Sequence, residues 1–198
     1  RYLACHPIAH MPQIFKVYRG DRYLVVVEEY IEGSSLSEYL KEGTFEPFEA
    51  ARIVRDLCCI LNELHTLECP IIHRDIKPSN VMLTKSGEVV LLDMNVAKWY
   101  DSEEKEDTRL LGTKDYAAPE QAGYGMKASS DKTDIYAVGI LLNVMLTGKL
   151  PKEKPAQGKL WDIIERCISL DADTRYSADE LIEPVSYTHL TLPTNSRV

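Results

Sequence analysis

Polar and charged side chains crowd the stretch His73-Arg74-Asp75-Ile76-Lys77-Pro78-Ser79-Asn80, which lies between two apolar runs, Ile71-Ile72 and Val81-Met82-Leu83. An unpaired buried polar group costs roughly 1–3 kcal/mol, so this many beside a core imply a task for them. Taken singly, each reads as part of a charged surface turn. An Asp, a Lys two residues on and an Asn three beyond that form a constellation suited to phosphoryl transfer. A second carboxylate, Asp93, follows Asp75 by eighteen residues. A short hairpin between them can return it to the same cleft, and two acidic or amide oxygens around a polyphosphate are what Mg²⁺ requires.

The elements that must position these groups are legible around them. Val81-Met82-Leu83, a Lys85-Ser86-Gly87-Glu88 turn and Val89-Val90-Leu91-Leu92 predict the hairpin that delivers Asp93. Upstream, Ile14–Tyr18 and Tyr23–Val27, rich in β-branched and aromatic residues, predict another, with Gly20-Asp21 supplying positive φ at its turn. A two-stranded hairpin is marginal alone, so it is expected to be the edge of a sheet whose other strands are not in this chain. Glu28 to Gly33 leaves that strand and precedes a short helical pattern, Ser34 to Leu40. Phe45-Glu46-Pro47 opens a longer helix to about Leu67, apolar at Ala50, Ile53, Val54, Leu57, Ile60, Leu61 and Leu64. His65, near its end, is read as structural. Ile135 to Leu146 is apolar on nearly every side and is predicted to be buried.

Composition excludes some classes. The chain has 198 residues, 44% of them hydrophobic, which is enough for one domain with a core. Its net charge of −8 leaves no basic stripe to neutralise nucleic-acid phosphates. No apolar run approaches the ~20 residues needed to cross a bilayer. Cys5, Cys58, Cys59, Cys69 and Cys167 are odd in number and without metal-ligand spacing, predicting buried structural thiols in a reducing compartment. A cytoplasmic protein is expected.

His73 to Asn80 resembles the catalytic loop of protein kinases, His-Arg-Asp-x-Lys-x-x-Asn, at every fixed position. The resemblance implies an α+β, protein-kinase-like fold, with a mainly helical large lobe and a two-strand remnant of the small lobe. It implies that Asp75 accepts or orients the proton of the attacking hydroxyl, that Lys77 neutralises the transferring phosphoryl group, and that Asn80 holds Mg²⁺. Lys at 77 is similar to the serine/threonine type. Asp93 resembles the metal-binding Asp of Asp-Phe-Gly, although here the run is Asp93-Met94-Asn95. Glu28 to Gly33 is similar to the hinge, where backbone groups at Glu29 and Ile31 would bond the adenine of ATP. Glu28 then falls at the gatekeeper position, where it either bonds toward the adenine amino group or pairs with a lysine absent from this chain, unless the register is off by one.

Further landmarks follow in order. Lys98 to Arg109 resembles an activation loop, with Thr108 the first and Ser102 the second candidate phosphosite, and Arg74 a candidate partner for an added phosphate. Gly112-Thr113 and Ala118-Pro119-Glu120 close it, and the resemblance places Thr113 against Asp75 and Lys77. It also implies that Asp134 bonds the backbone of the catalytic loop and that Arg175 pairs with Glu120, with His73 and Arg74 expected to be structural. The chain runs from Thr147-Gly148 to Trp161 sooner than the family pattern, so a helix expected there is absent or reduced to Lys149 to Gly158.

Residues 1–32 are thus expected to be a small-lobe remnant, 33–183 the large lobe, and 184–198 a non-native tail whose helix ends at Pro184. The Gly-rich loop, strand Lys and helix Glu of the family are not in the sequence. The expectation is a serine/threonine protein kinase acting on protein substrates, with this fragment inactive by itself. A pseudokinase or scaffold is the alternative, motivated by Met94-Asn95 and Glu28. A small-molecule phosphotransferase fits the landmarks around Thr113 and Arg175 poorly. The Ala118-Pro119-Glu120-Gln121 wording resembles bacterial members.

Overall fold

The computed structural model describes residues 2–21, 23–95, 97–99, 113–121 and 129–191. A helical turn, α1 (Tyr2–Cys5), leads to an antiparallel pair, β1 (Ile14–Arg19) and β2 (Leu24–Glu28). The turn between them differs from expectation. Gly20 is not left-handed. The ring of Tyr23 lies over it instead, and a Cβ there would sit 2.5 Å from that ring. Every residue of β2 is exposed, so this hairpin adds little to the core.

The core belongs to the remaining elements. β3 (Gly33–Ser35), β5 (Val81–Thr84) and β6 (Val89–Leu91) form a three-stranded antiparallel sheet in the order β3-β5-β6, while β4 (Ile71–Ile72) pairs with β7 (Lys98–Trp99). β3 was not evident in the sequence because its residues are Gly-Ser-Ser. Its glycine permits the pairing, since a Cβ at Gly33 would lie 2.2 Å from the Leu83 carbonyl oxygen. The adjoining helix, α2 (Leu36–Glu42), begins two residues later than predicted. Ser35 precedes it and donates its N–H to the Glu38 carboxylate at 2.7 Å, satisfying a backbone donor at the helix start.

The longer helices supply most of the core, and α3 (Pro47–His65) lies against β6. α3 buries the predicted apolar face, including Ile53, Val54, Leu57, Leu61 and Leu64. α4 (Asp131–Thr147) is buried on almost every side, from Thr133 to Met145 with Tyr136 the partly exposed exception. Each of its buried Leu and Ile side chains contributes roughly 1.5–3 kcal/mol of transfer free energy. α5 (Lys159–Cys167) packs on α4, and α6 (Ala178–Thr191) packs along α3. Residues 148–158 contain no helix, as the short spacing anticipates.

Two further expectations need correction. α6 does not stop at Pro184 but carries it in its interior and continues to Thr191. Pro184 has no N–H to give the ladder, yet Val185 beside it is fully buried in the core and its packing offsets that loss. The cysteines also divide differently. Cys58 and Cys167 are buried, with burial pushing the Cys167 thiol up to about 12, but Cys5, Cys59 and Cys69 are exposed. Among the described residues no helix is long and apolar enough to cross a membrane.

Candidate active site

Between β4 and β5 the chain carries the polar stretch across the end of the sheet, and its backbone is held from below by α4. Asp134, fully buried, accepts the His73 N–H on Oδ2 at 2.9 Å and the Arg74 N–H on Oδ1 at 2.7 Å. A third donor, His65 Nε2, reaches Oδ2 at 2.9 Å from the last turn of α3. Burial pushes the Asp134 carboxyl up, but these donors and the nearby imidazoles outweigh it and hold it below its ordinary value. His65 thus has the structural setting read from the sequence, though its partner, 69 residues away, was not foreseeable.

The held backbone is strained. Arg74 has φ 66°, a left-handed conformation that costs a residue with a Cβ roughly 1–2 kcal/mol. Asp134 fixes the amide on one side of Arg74. On the other, Gln121 Nε2 donates to the Arg74 carbonyl at 2.8 Å. Gln121, noted above only as part of the Ala118-Pro119-Glu120-Gln121 run, makes a contact across 47 residues that no local pattern signals.

His73 links the stretch to the second hairpin. Its Nε2 bonds the Leu92 carbonyl at 3.0 Å and its Nδ1 accepts the Asp75 N–H at 3.3 Å. Such a pattern requires a neutral ring protonated on Nε2. Burial keeps it neutral, pushing the His73 pKa down despite the nearby carboxylates. The Leu92 N–H in turn donates to the Asn80 carbonyl at 2.8 Å. Leu92 is therefore clasped from both sides, which presents the next residue, Asp93, to the cleft that Asn80 also lines. Asp93 is left-handed, with φ 64°, and its Oδ1 accepts the Asn95 N–H at 3.0 Å. The left-handed position in this turn is thus the Asp itself.

Asp75 stands at the centre. Lys77 Nζ donates to its Oδ2 at 2.7 Å, Asn80 Nδ2 to the same oxygen at 3.0 Å, and Thr113 Oγ1 to its Oδ1 at 2.9 Å. Lys77 Nζ also reaches Thr113 Oγ1 at 2.9 Å. Burial raises the Asp75 carboxyl, but the hydrogen bonds from Lys77, Thr113 and Asn80 prevail and keep it below the ordinary range. The carboxylate is therefore ionised at neutral pH, with its acceptor lone pairs aimed at neighbours. Asn80 Nδ2 also donates to the Asp75 carbonyl at 2.9 Å, which fixes the amide orientation and turns Oδ1 toward the Ser79 hydroxyl, from which it accepts at 3.3 Å.

A cleft of about 840 Å³ opens beside Asn80 and Asp93. Ser79, Asn80, Asp93, Met94 and Asn95 line one side, and Ile14, Leu24, Val26 and Glu28 the other. Glu29 is tied to the chain before β1, donating its N–H to the Gln13 carbonyl at 2.8 Å and accepting the Gln13 N–H on its carboxylate at 3.2 Å. Ile31 lies just beyond, partly exposed. Farther from the cleft, Arg175 Nη1 and Nη2 meet the two oxygens of Glu120 at 2.8 and 3.1 Å, with Arg175 wholly buried. Thr108, Ser102 and Gly112 lie outside the described residues.

The family model described as protein kinase domain matches residues 3–186. The chain is 35% identical over 145 residues to the serine/threonine-protein kinase PrkC of Bacillus subtilis, covering 71% of this chain and 22% of that protein. It is 37% identical over 132 residues to the probable serine/threonine-protein kinase PknB of Corynebacterium glutamicum, covering 65% of this chain and 20% of that one. Mitogen-activated protein kinase kinase 1 of Arabidopsis thaliana is 29% identical over 191 residues, covering 80% of this chain and 52% of its own length. The chain thus spans only part of each relative.

Proposed function

As the chain belongs to the protein kinase domain family, we propose that its protein transfers the γ-phosphoryl group of ATP to Ser or Thr hydroxyls of protein substrates in the cytoplasm. The observation that carries this reading is the convergence of Lys77, Asn80 and Thr113 on one carboxylate, Asp75. Asp75, ionised and accepting at both oxygens, takes or orients the hydroxyl proton of the acceptor. Lys77, within reach of both Asp75 and Thr113, neutralises the phosphoryl group as it passes. Thr113 keeps the acceptor-side segment against Asp75.

Asn80 and Asp93 would hold Mg²⁺, and the donors fit: one amide oxygen oriented by its own NH₂ group and one carboxylate, both hard ligands on a shared cleft. Among the described residues no cluster of three or more His, Cys, Asp or Glu is present, so phosphate and water oxygens would supply the other ligands. Mg²⁺, when bound, neutralises phosphate charge. Backbone groups of Glu29 and Ile31 would receive the adenine edge. In this reading residues 33–183, continued by the rest of α6, are the large lobe and 1–32 belong to the small lobe. Without a Gly-rich loop and strand Lys, these 198 residues alone transfer phosphate poorly.

The test is phosphorylation of a Ser/Thr peptide library by the full-length protein with Mg-ATP, wild type against Asp75→Asn. Transfer abolished by the substitution supports the proposal. Nucleotide binding without transfer to any acceptor would overturn it in favour of a scaffold, the reading that Met94-Asn95 motivates.

A further inference from the structure

We propose that Gln121 is a positioning residue, tying the segment that carries Thr113 to the strained Arg74–Asp75 backbone so that acceptor side and catalytic carboxylate keep one register. Its side chain is nearly inaccessible, with 3% exposure, and uses both ends of its amide in opposite senses. Oε1 accepts the Ala118 N–H at 3.0 Å, while Nε2 donates to the Arg74 carbonyl at 2.8 Å. These two partners fix the orientation of the amide, because reversing it would set donor against donor and acceptor against acceptor.

The location gives the contact its consequence. The Arg74 N–H is held by Asp134 and the Asp75 N–H by His73, and the Arg74 carbonyl lies between these two held groups in the same unit. Gln121 closes it from the chain segment whose other end, Thr113, bonds the Asp75 carboxylate. That segment therefore grips Asp75 twice, once through its side chain and once through the peptide group preceding it. Turns hold the interval together, with the Tyr116 and Ala117 N–H groups bonding the Thr113 carbonyl at 2.8 and 2.9 Å. A shift of the segment would move both grips.

Only the kinetic arm of the test rests on the kinase reading. In Gln121→Met both amide contacts are lost, whereas Gln121→Glu retains an acceptor for Ala118 and loses the donor to Arg74. Amide hydrogen exchange of the chain is expected to quicken about tenfold at Arg74 and Asp75 in both variants, the loss of one buried hydrogen bond. Ala118 should quicken in Gln121→Met alone, and α3 and α4 should be unchanged. In the full-length protein, kcat for peptide should fall about tenfold with KM for ATP unaltered. Adding Thr113→Ala should cost less than the product of the separate losses. Unchanged exchange at Arg74 and Asp75, or acceleration spread evenly through the helices, would sink the inference. A wild-type protein that phosphorylates nothing sinks the kinase reading instead, and the exchange pattern still decides the role of Gln121.

Discussion

The Asp134 carboxylate accepts the Arg74 N–H at 2.7 Å although 60 residues separate them, fixing a left-handed residue next to Asp75. Asp134→Asn replaces one of its acceptor oxygens with an NH₂ group that must face a donor from His65, His73 or Arg74. Stability should fall by about 2–4 kcal/mol at neutral pH, measurable by urea unfolding of the chain. The carboxyl is depressed in the folded state, so its contribution is present above the ordinary carboxylate pKa and is lost as pH falls through the lower folded value. The gap between wild type and variant should therefore narrow in acid. A gap that widened there would refute the assignment.

Glu120 and Arg175 make a second long-range contact, with Arg175 wholly buried and also bonding the Ser169 and Lys132 carbonyls. Breaking a buried pair strands the remaining charge, so Arg175→Met should cost about 3–5 kcal/mol. Adding Glu120→Leu removes the stranded carboxylate, and the double variant is expected to be more stable than Arg175→Met alone. Equilibrium unfolding of the three proteins checks this. A double variant less stable than the single one would show that packing, rather than the unpaired charge, sets the cost.

What the sequence disclosed follows the range of the interactions. Period and turn chemistry are local, so α3, α4 and the hairpin of β5 and β6 were readable, as was the clustering of Asp75, Lys77 and Asn80 within six residues. β3 was hidden because Gly33-Ser34-Ser35 has no strand propensity and forms a strand only through its pairing with β5. Pro184 signalled a helix end locally, and the burial of Val185 overrode it. His65 and Gln121 carry no pattern at all. Each matters through a partner distant in sequence, Asp134 and Arg74 respectively, and only the fold brings the pairs together. Resemblance supplied Thr113 and Arg175, which spacing alone did not.

The environment of Asp75 makes a pH prediction that depends on the proposed kinase activity. Burial raises this carboxyl, yet Lys77, Thr113 and Asn80 hold it below its ordinary value. In the wild type the acid limb of kcat/KM for peptide should thus lie below the ordinary carboxylate pKa of about 3.9. Lys77→Met and Thr113→Ala each remove a donor, so in both the limb should move upward. Lys77→Met should also lower kcat by about 10²–10³-fold through loss of charge stabilisation. An acid limb that stayed in place in both variants would mean that Asp75 is not the group being titrated.

The Mg²⁺ role proposed for Asp93 can be separated from any part it has in stability. Asp93→Asn retains a side chain that tolerates φ 64° and an Oδ1 able to accept the Asn95 N–H, so the stability of the chain should change by no more than ~0.5 kcal/mol. What the substitution removes is one negative charge from the pair of oxygen donors on the cleft. The Mg²⁺ concentration giving half-maximal peptide phosphorylation in the full-length protein should then rise about 10–100-fold. Asn80→Asp should act in the opposite sense on metal, adding charge, while losing the Nδ2 donor that holds Asp75. Its Mg²⁺ requirement should fall even as kcat drops. A Mg²⁺ requirement unmoved in Asp93→Asn would take Asp93 out of the metal site and leave it as a turn residue.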